Sequence, residues 1–123
     1  MDSSVLLAVF NRERGWEKLT PEMLGGSAIS CVNAAEVQGK LVAEGIDGEA
    51  AWNAISGSVR EIVSFNTQQA RLTGELISRT RSLGLSLGDR ACIALGLTLN
   101  APVYTMDRSW AHLKIEVPIH AIR

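Results

Sequence analysis

At 123 residues, 46% of them hydrophobic, the chain has the apolar content for one real core and reads as a single domain over 1–123. Its 12 Lys and Arg against 13 Asp and Glu leave a formal charge of −1, which excludes a polybasic nucleic-acid arm and an acidic tail. No apolar run approaches membrane-spanning length, and the first residues lack a charged n-region or a cleavage-site pattern, so a cytosolic protein without membrane contact is expected.

In chain order, SSVLLAVFN (3–11) suits a helix with a buried face, and the polar RERGWEK breaks it. TPEML reads as a short helix capped by Thr20, with Pro21 at the first position, where its missing N–H costs no helical bond. GSAISCV is small and β-branched enough for a buried strand, NAAEVQGKLVAEG continues as a helix to Gly45, DGEAAWNAISGSV is helical, and REIVSF is the next strand. Over residues 66–83 the spacing of Ala70, Leu72, Leu76 and Ile77 predicts one long amphipathic helix, stopped by Gly84. LSLGDRACIALG opens a helix at Ser86, and Asp89 then shares a face with Cys92, Ile93 and Gly96 that is expected to be buried. APVYTM is a strand, DRSWAHL a short helix, and VPIHAI an alternating strand that Pro118 confines to a sheet edge. Helices alternating with short strands define an α/β fold with a mostly parallel sheet.

Cys31 and Cys92 lie far apart without a CxxC pattern and are expected to be small core fillers. His112 and His120 have no ligand spacing with either thiol, which argues against zinc.

The acids carry more information. Asp2 precedes the first helix, Glu36 follows the SAIS strand, Asp89 opens the helix at 86, and Asp107 follows PVYTM. Such strand-to-helix transitions gather at the carboxyl edge of a parallel sheet, where ligands bind. Each acid also has a plainer explanation: Ser86 with Asp89 and Asn33 with Glu36 have capping-box spacing, and Asp2 and Asp107 fit N-caps. Capping does not cancel mutual repulsion. Two carboxylates roughly 5 Å apart repel by about 3 kcal/mol at an effective dielectric near 20, and a divalent cation reverses that sign. An all-oxygen set matches Mg²⁺ or Mn²⁺ and points to phosphodiester hydrolysis.

MDSSVLLAVFN, AAEV, LSLGDRACIALG and VYTMDRSW resemble, in order and spacing, the four acidic motifs of PIN-domain nucleases, specifically the VapC toxins of bacterial toxin–antitoxin pairs. The resemblance runs end to end, including the IHAIR tail. It implies a three-layer α/β/α sandwich and Mg²⁺- or Mn²⁺-dependent cleavage of single-stranded or loop RNA of the tRNA or rRNA class. It further implies neutralisation by a cognate antitoxin, and a homodimer. Carried over by motif, Asp2, Glu36, Asp89 and Asp107 form the catalytic, metal-binding quartet, with Ser3, Ser4 and Thr105 as supporting hydroxyls. Family members carry a short apolar strand before the first acid; here only Met1 precedes Asp2, so the first strand is expected to be truncated. The alternative in another class is a non-catalytic, protein-binding or regulatory domain of the same fold, its acids acting as caps.

For RNA contact, Arg90 and Arg108 each follow a quartet acid. Arg12, Arg14 and Lys40 are weaker candidates. Trp16, Trp52 and Trp110 have the chemistry to stack on bases, but core or interface packing is the expectation for all three. The resemblance also implies that apolar surface on the helices at 47–59 and 66–83 serves dimerisation or antitoxin docking.

Overall fold

The computed structural model describes residues 1–122. In chain order these form α1 (Ser3–Asn11), α2 (Pro21–Gly25), β1 (Ala28–Ser30), α3 (Cys31–Ala43), α4 (Gly48–Ser58), β2 (Glu61–Val63), α5 (Thr67–Glu75), α6 (Ile77–Thr80), α7 (Leu87–Leu99), β3 (Val103–Thr105) and β4 (Ile119–Ala121), with a 3₁₀ turn at Arg108–His112 before β4.

Two boundaries depart from the sequence expectation. Helix α3 begins at Cys31 rather than Asn33, because the Ser30 side chain accepts from Val32 N and caps the helix there. Asn33 is therefore an interior residue of α3 and no cap. The long helix expected over 66–83 is broken into α5, α6 and a 3₁₀ turn at Arg81–Leu83. Along it the hydroxyls of Thr73 and Thr80 bond back to the carbonyls of Gln69 and Leu76, a pattern that bends helices, and Gly74 adds its own low propensity.

The strands pair as two parallel ladders. β1 runs beside β2 in the register Ala28↔Glu61 to Ser30↔Val63, and β3 beside β4 from Val103↔Ile119 to Thr105↔Ala121. Met1 and Asp2 bridge the two. The Met1 amine donates to Ala28 O at 2.8 Å on the β1 side, and Asp2 N donates to Tyr104 O at 2.9 Å on the β3 side. Successive N–H groups pointing to opposite neighbours is what an extended central strand does. Met1 and Asp2 thus form a two-residue extended segment between β1 and β3.

Adjacent residues of β3 face opposite ways, as the pleat requires: Val103 joins one hydrophobic cluster and Tyr104 packs on another. The Tyr104 side is filled by Val5 and Leu6 of α1, Ala34 and Val37 of α3, and Ile55 of α4. The Val103 side holds Cys92, Ile93 and Ala94 of α7 with Leu76 and Trp110. Helices on both faces of parallel strands make the expected α/β/α sandwich. Gly96 lets α7 lie directly on β3, since a Cβ there would fall on the Val103 side chain and within 3.3 Å of Ala101 O. Among the described residues, no helix is long and apolar enough to cross a membrane.

Candidate active site

All four acids reach the same cleft of about 370 Å³, together with Ser3, Ser4, Glu13, Lys40, Ser86 and Trp110. The topology brings them there. Met1–Asp2, β1 and β3 all feed forward at the same sheet edge, into α1, into α3 and towards Asp107, while the first turn of α7 supplies Asp89.

Asp2 is buried, at 3% exposure, and occupies the N-cap position of α1 without capping it. Its carboxylate is held by hydroxyls instead: Ser4 Oγ donates to Oδ2 at 2.6 Å, Thr105 Oγ1 to Oδ2 at 3.1 Å, and Ser3 Oγ approaches Oδ1 at 3.5 Å. All three hydroxyls singled out from the sequence therefore touch one carboxylate. Burial raises the Asp2 pKa above the usual carboxylate value, Ser4 opposes the shift, and repulsion from Asp89 adds to it. Ser4 Oγ and Thr105 Oγ1 also accept from Met106 N and Asp107 N, which ties α1 to the end of β3.

Glu36 sits half-buried on α3, one turn beyond Asn33. Asn33 is fully buried and donates from Nδ2 to Glu36 Oε1 at 2.9 Å and to Gly88 O at 3.0 Å, clamping α3 to the first turn of α7. The Glu36 carboxylate lies over Gly88, where any Cβ would fall on its oxygens. Asn33 and Gly88 are the residues that sequence reasoning missed. The NxxE spacing was visible, but it read as a cap, and a glycine that clears space for a side chain leaves no charge signal.

Asp89 does cap. Ser86 Oγ accepts from Asp89 N at 3.2 Å, and Asp89 Oδ2 accepts from Ser86 N at 3.0 Å. It is only half-buried, whereas its helix neighbours Ala91 to Gly96 are buried, so the expectation of a wholly buried face stops one residue short of it. Asp107 is exposed, and its Oδ1 accepts from Ser109 N at 2.9 Å and Ser109 Oγ at 2.7 Å. For Glu36, Asp89 and Asp107, these bonds engage one carboxylate oxygen and leave the other outside them.

The basic candidates separate. Lys40 lines the acidic cleft, and Arg108 lines a neighbouring hollow with Ser4, Met106 and Asp107. Arg90 turns to α5, its Nη1 donating to Thr73 O at 2.9 Å, and does not line the cleft. The Arg12 guanidinium lies over Trp16, 5.7 Å from the ring centroid. Trp110 is core at 1% exposure and Trp52 packs on the first cluster. Cys92 is buried, its thiol pushed up to about 12 chiefly by that burial, with repulsion from Asp2, Asp89 and Glu36 adding to the shift. The exposed large apolar residues include Val42, Ile46, Ile77, Leu87 and Leu99. Of these only Ile77 lies in the two helical stretches expected to carry apolar surface.

The donor set is all oxygen, which fits a hard divalent cation. Among the described residues, however, no three acids, cysteines or histidines stand close enough together to form a ready coordination shell. The fit is therefore to an ion that keeps much of its water and meets one or two carboxylates at a time, the usual habit of Mg²⁺.

The PIN domain family model matches residues 1–116, and the chain belongs to that family. Among solved structures, the fold is similar to a chain in the crystal structure of VapBC2 from Rickettsia felis bound to a DNA fragment from their promoter. The TM-score is 0.69 at 19% identity, covering 96% of this chain and 93% of that one. A comparison with curated protein sequences finds no match.

Proposed function

We propose that this protein is a cytoplasmic, metal-dependent endoribonuclease of the VapC type, cleaving single-stranded or loop RNA and neutralised by a cognate antitoxin. The observation that carries the reading is the convergence of Asp2, Glu36, Asp89 and Asp107 on one cleft from four separate parts of the chain. Four carboxylates repel the phosphates of RNA as strongly as they repel one another, so an uncompensated cleft of this composition would exclude a nucleic acid. Mg²⁺ or Mn²⁺ held by these four residues would reverse the sign, lower the pKa of a bound water and stabilise charge on the phosphate.

The chain's own contributions are positional. Ser3, Ser4 and Thr105 aim the Asp2 carboxylate, Asn33 aims Glu36, and the capping box fixes Asp89 at a helix N-terminus, where the dipole favours an anion. Lys40 and Arg108 flank the acids and suit contacts to phosphates on either side of the cleaved bond. Partner docking is supported by the VapBC2 complex that shares the fold, and by the exposed Val42 and Ile46 at the end of α3. A homodimer belongs to the same reading.

Purified protein incubated with RNA and Mn²⁺ or Mg²⁺ tests the function. Cleavage that stops on chelation, and that Asp89→Asn abolishes while the variant stays folded, supports it; equal cleavage by that variant removes Asp89 from the machinery. One observation favours a second reading, a non-catalytic domain of the same fold: no three acids are close enough for a ready metal site among the described residues. Such a domain shows no cleavage and no saturable Mn²⁺ binding.

A further inference from the structure

The three tryptophans end in different settings. Trp110 belongs to one hydrophobic cluster and Trp52 packs against the other, as expected of both. Trp16 departs from that expectation. It is half-buried, lies outside both clusters among the described residues, and sits in a 3₁₀ turn, Trp16–Lys18, that has no buried residue. A large ring without a core to pack in is suited to a ligand, and accessible aromatic rings are what unpaired bases stack on.

The end of α1 shapes this platform. Arg12 N donates to Val9 O at 3.3 Å and Glu13 N to Ala8 O at 2.9 Å, a Schellman motif with Arg12 at its left-handed position, φ 51° and ψ 45°. Glycine is the usual residue there, because a side chain is strained in that region. In this conformation the exposed Arg12 guanidinium lies over the Trp16 ring, 5.7 Å from its centroid, within cation–π reach but looser than a packed stack. Trp16 N then donates to Glu13 O at 3.0 Å, and Glu13 lines the acidic cleft, so the ring stands one turn from the cleft wall. Beyond the ring, Lys18 Nζ donates to Ile122 O at 3.4 Å and Leu19 is buried in the core, which holds the turn in place. Residues 11–18 carry Arg12, Arg14 and Lys18 against Glu13 and Glu17, so this rim is net positive beside an acidic cleft.

Resting on the nuclease reading above, we propose that Trp16 and Arg12 form a base-stacking subsite for single-stranded RNA at the rim of the acidic cleft. One unpaired base of the substrate stacks on the Trp16 face that Arg12 now covers, and the Arg12 side chain moves to an adjoining phosphate. Every base has a π-face, so the subsite tolerates any sequence. A duplex keeps its bases paired and stacked and cannot use it, so the subsite supplies a preference for single strands that carboxylates and a metal ion alone do not.

The test titrates fluorescein-labelled oligouridine by anisotropy into the full chain carrying Asp89→Asn, with Mn²⁺ present, so that the strand is bound without being cut. Adding Trp16→Ala should weaken binding about tenfold or more, and Trp16→Phe, which keeps a ring, should stay within about threefold of the parent. Bound RNA should quench tryptophan emission in the parent and leave it unchanged in Trp16→Phe. Arg12→Gly suits the left-handed backbone, so it should melt at or above the parent while binding weakens and its salt dependence falls by about one phosphate contact. Unchanged affinity in folded Trp16→Ala or in Arg12→Gly, quenching that persists in Trp16→Phe, or an RNA duplex bound as tightly as the single strand overturns the proposal. So does a parent that binds no RNA. Cleavage by the wild-type chain, scored separately, shows which reading has failed: a nuclease indifferent to Trp16 loses this subsite alone, whereas a chain that neither cuts nor binds RNA loses both.

Discussion

Thr105 and Asp2 stand 103 positions apart, and the Thr105 hydroxyl donates to the buried Asp2 carboxylate at 3.1 Å. Hydrogen bonds from Ser4, Thr105 and the Ser3 backbone favour the charged form, but burial outweighs them and the pKa is raised from 3.8. A group raised in the folded state contributes stability that is fully present below the unfolded value and lost as pH rises through the folded value. Asp2→Asn keeps an acceptor for Ser4 and Thr105 and removes the buried charge. Its Tm is therefore expected to exceed wild type at pH 7, with the difference closing as pH falls towards 3.8. Paired melts from pH 3 to 8 check this, and a variant less stable at pH 7 would contradict it.

Glu36 and Gly88 separate site geometry from stability. In Gly88→Ala the new methyl displaces the Glu36 carboxylate, while helix propensity gains up to about 1 kcal/mol. Melting should be little changed or improved, and Mn²⁺ affinity by calorimetry should fall by about tenfold or more.

Asn33→Ala acts on both. It removes the donor to Gly88 O and to Glu36 in a fully buried setting, at a cost of about 1–3 kcal/mol in denaturant melts. Metal affinity should fall with it.

Ser86 and Asp89 split a cap from a catalyst. Ser86→Ala should cost about 1 kcal/mol and retain RNA cleavage, because it removes the hydroxyl that accepts from Asp89 N but keeps the backbone N–H at position 86 that holds Asp89 Oδ2. Asp89→Asn should melt near wild type and lose cleavage. The reverse pattern would assign Asp89 to capping alone.

The two thiols should react unequally. Cys92 is buried with its pKa near 12, and Cys31 is half-buried. Iodoacetamide at pH 8 should modify Cys31 in the folded protein, and Cys92 only after unfolding, as read by peptide mass spectrometry.

What the sequence displayed follows from what its signals report. Periodicity and caps at Thr20, Ser86 and Gly84 located most elements, because they act locally. The start of α3 was shifted by two residues, since Ser30 and Asn33 are both plausible caps and only the tertiary clamp to Gly88 decides between them. The break after Glu75 was hidden because the apolar spacing continues through it, while threonine back-bonding changes the path. The acids were legible through their places at strand ends and near helix starts. Arg90 was not, because its neighbour in sequence is Asp89 but its partner in space is the Thr73 carbonyl.

A Mn²⁺ titration by calorimetry, run on the wild-type chain and on Glu36→Gln with Asp89→Asn, measures most directly whether the converging carboxylates hold a divalent ion. Saturable heat in the wild type that disappears in the double variant, with both proteins folded, is the predicted result. Identical heats in the two proteins, or none in the wild type, would contradict it.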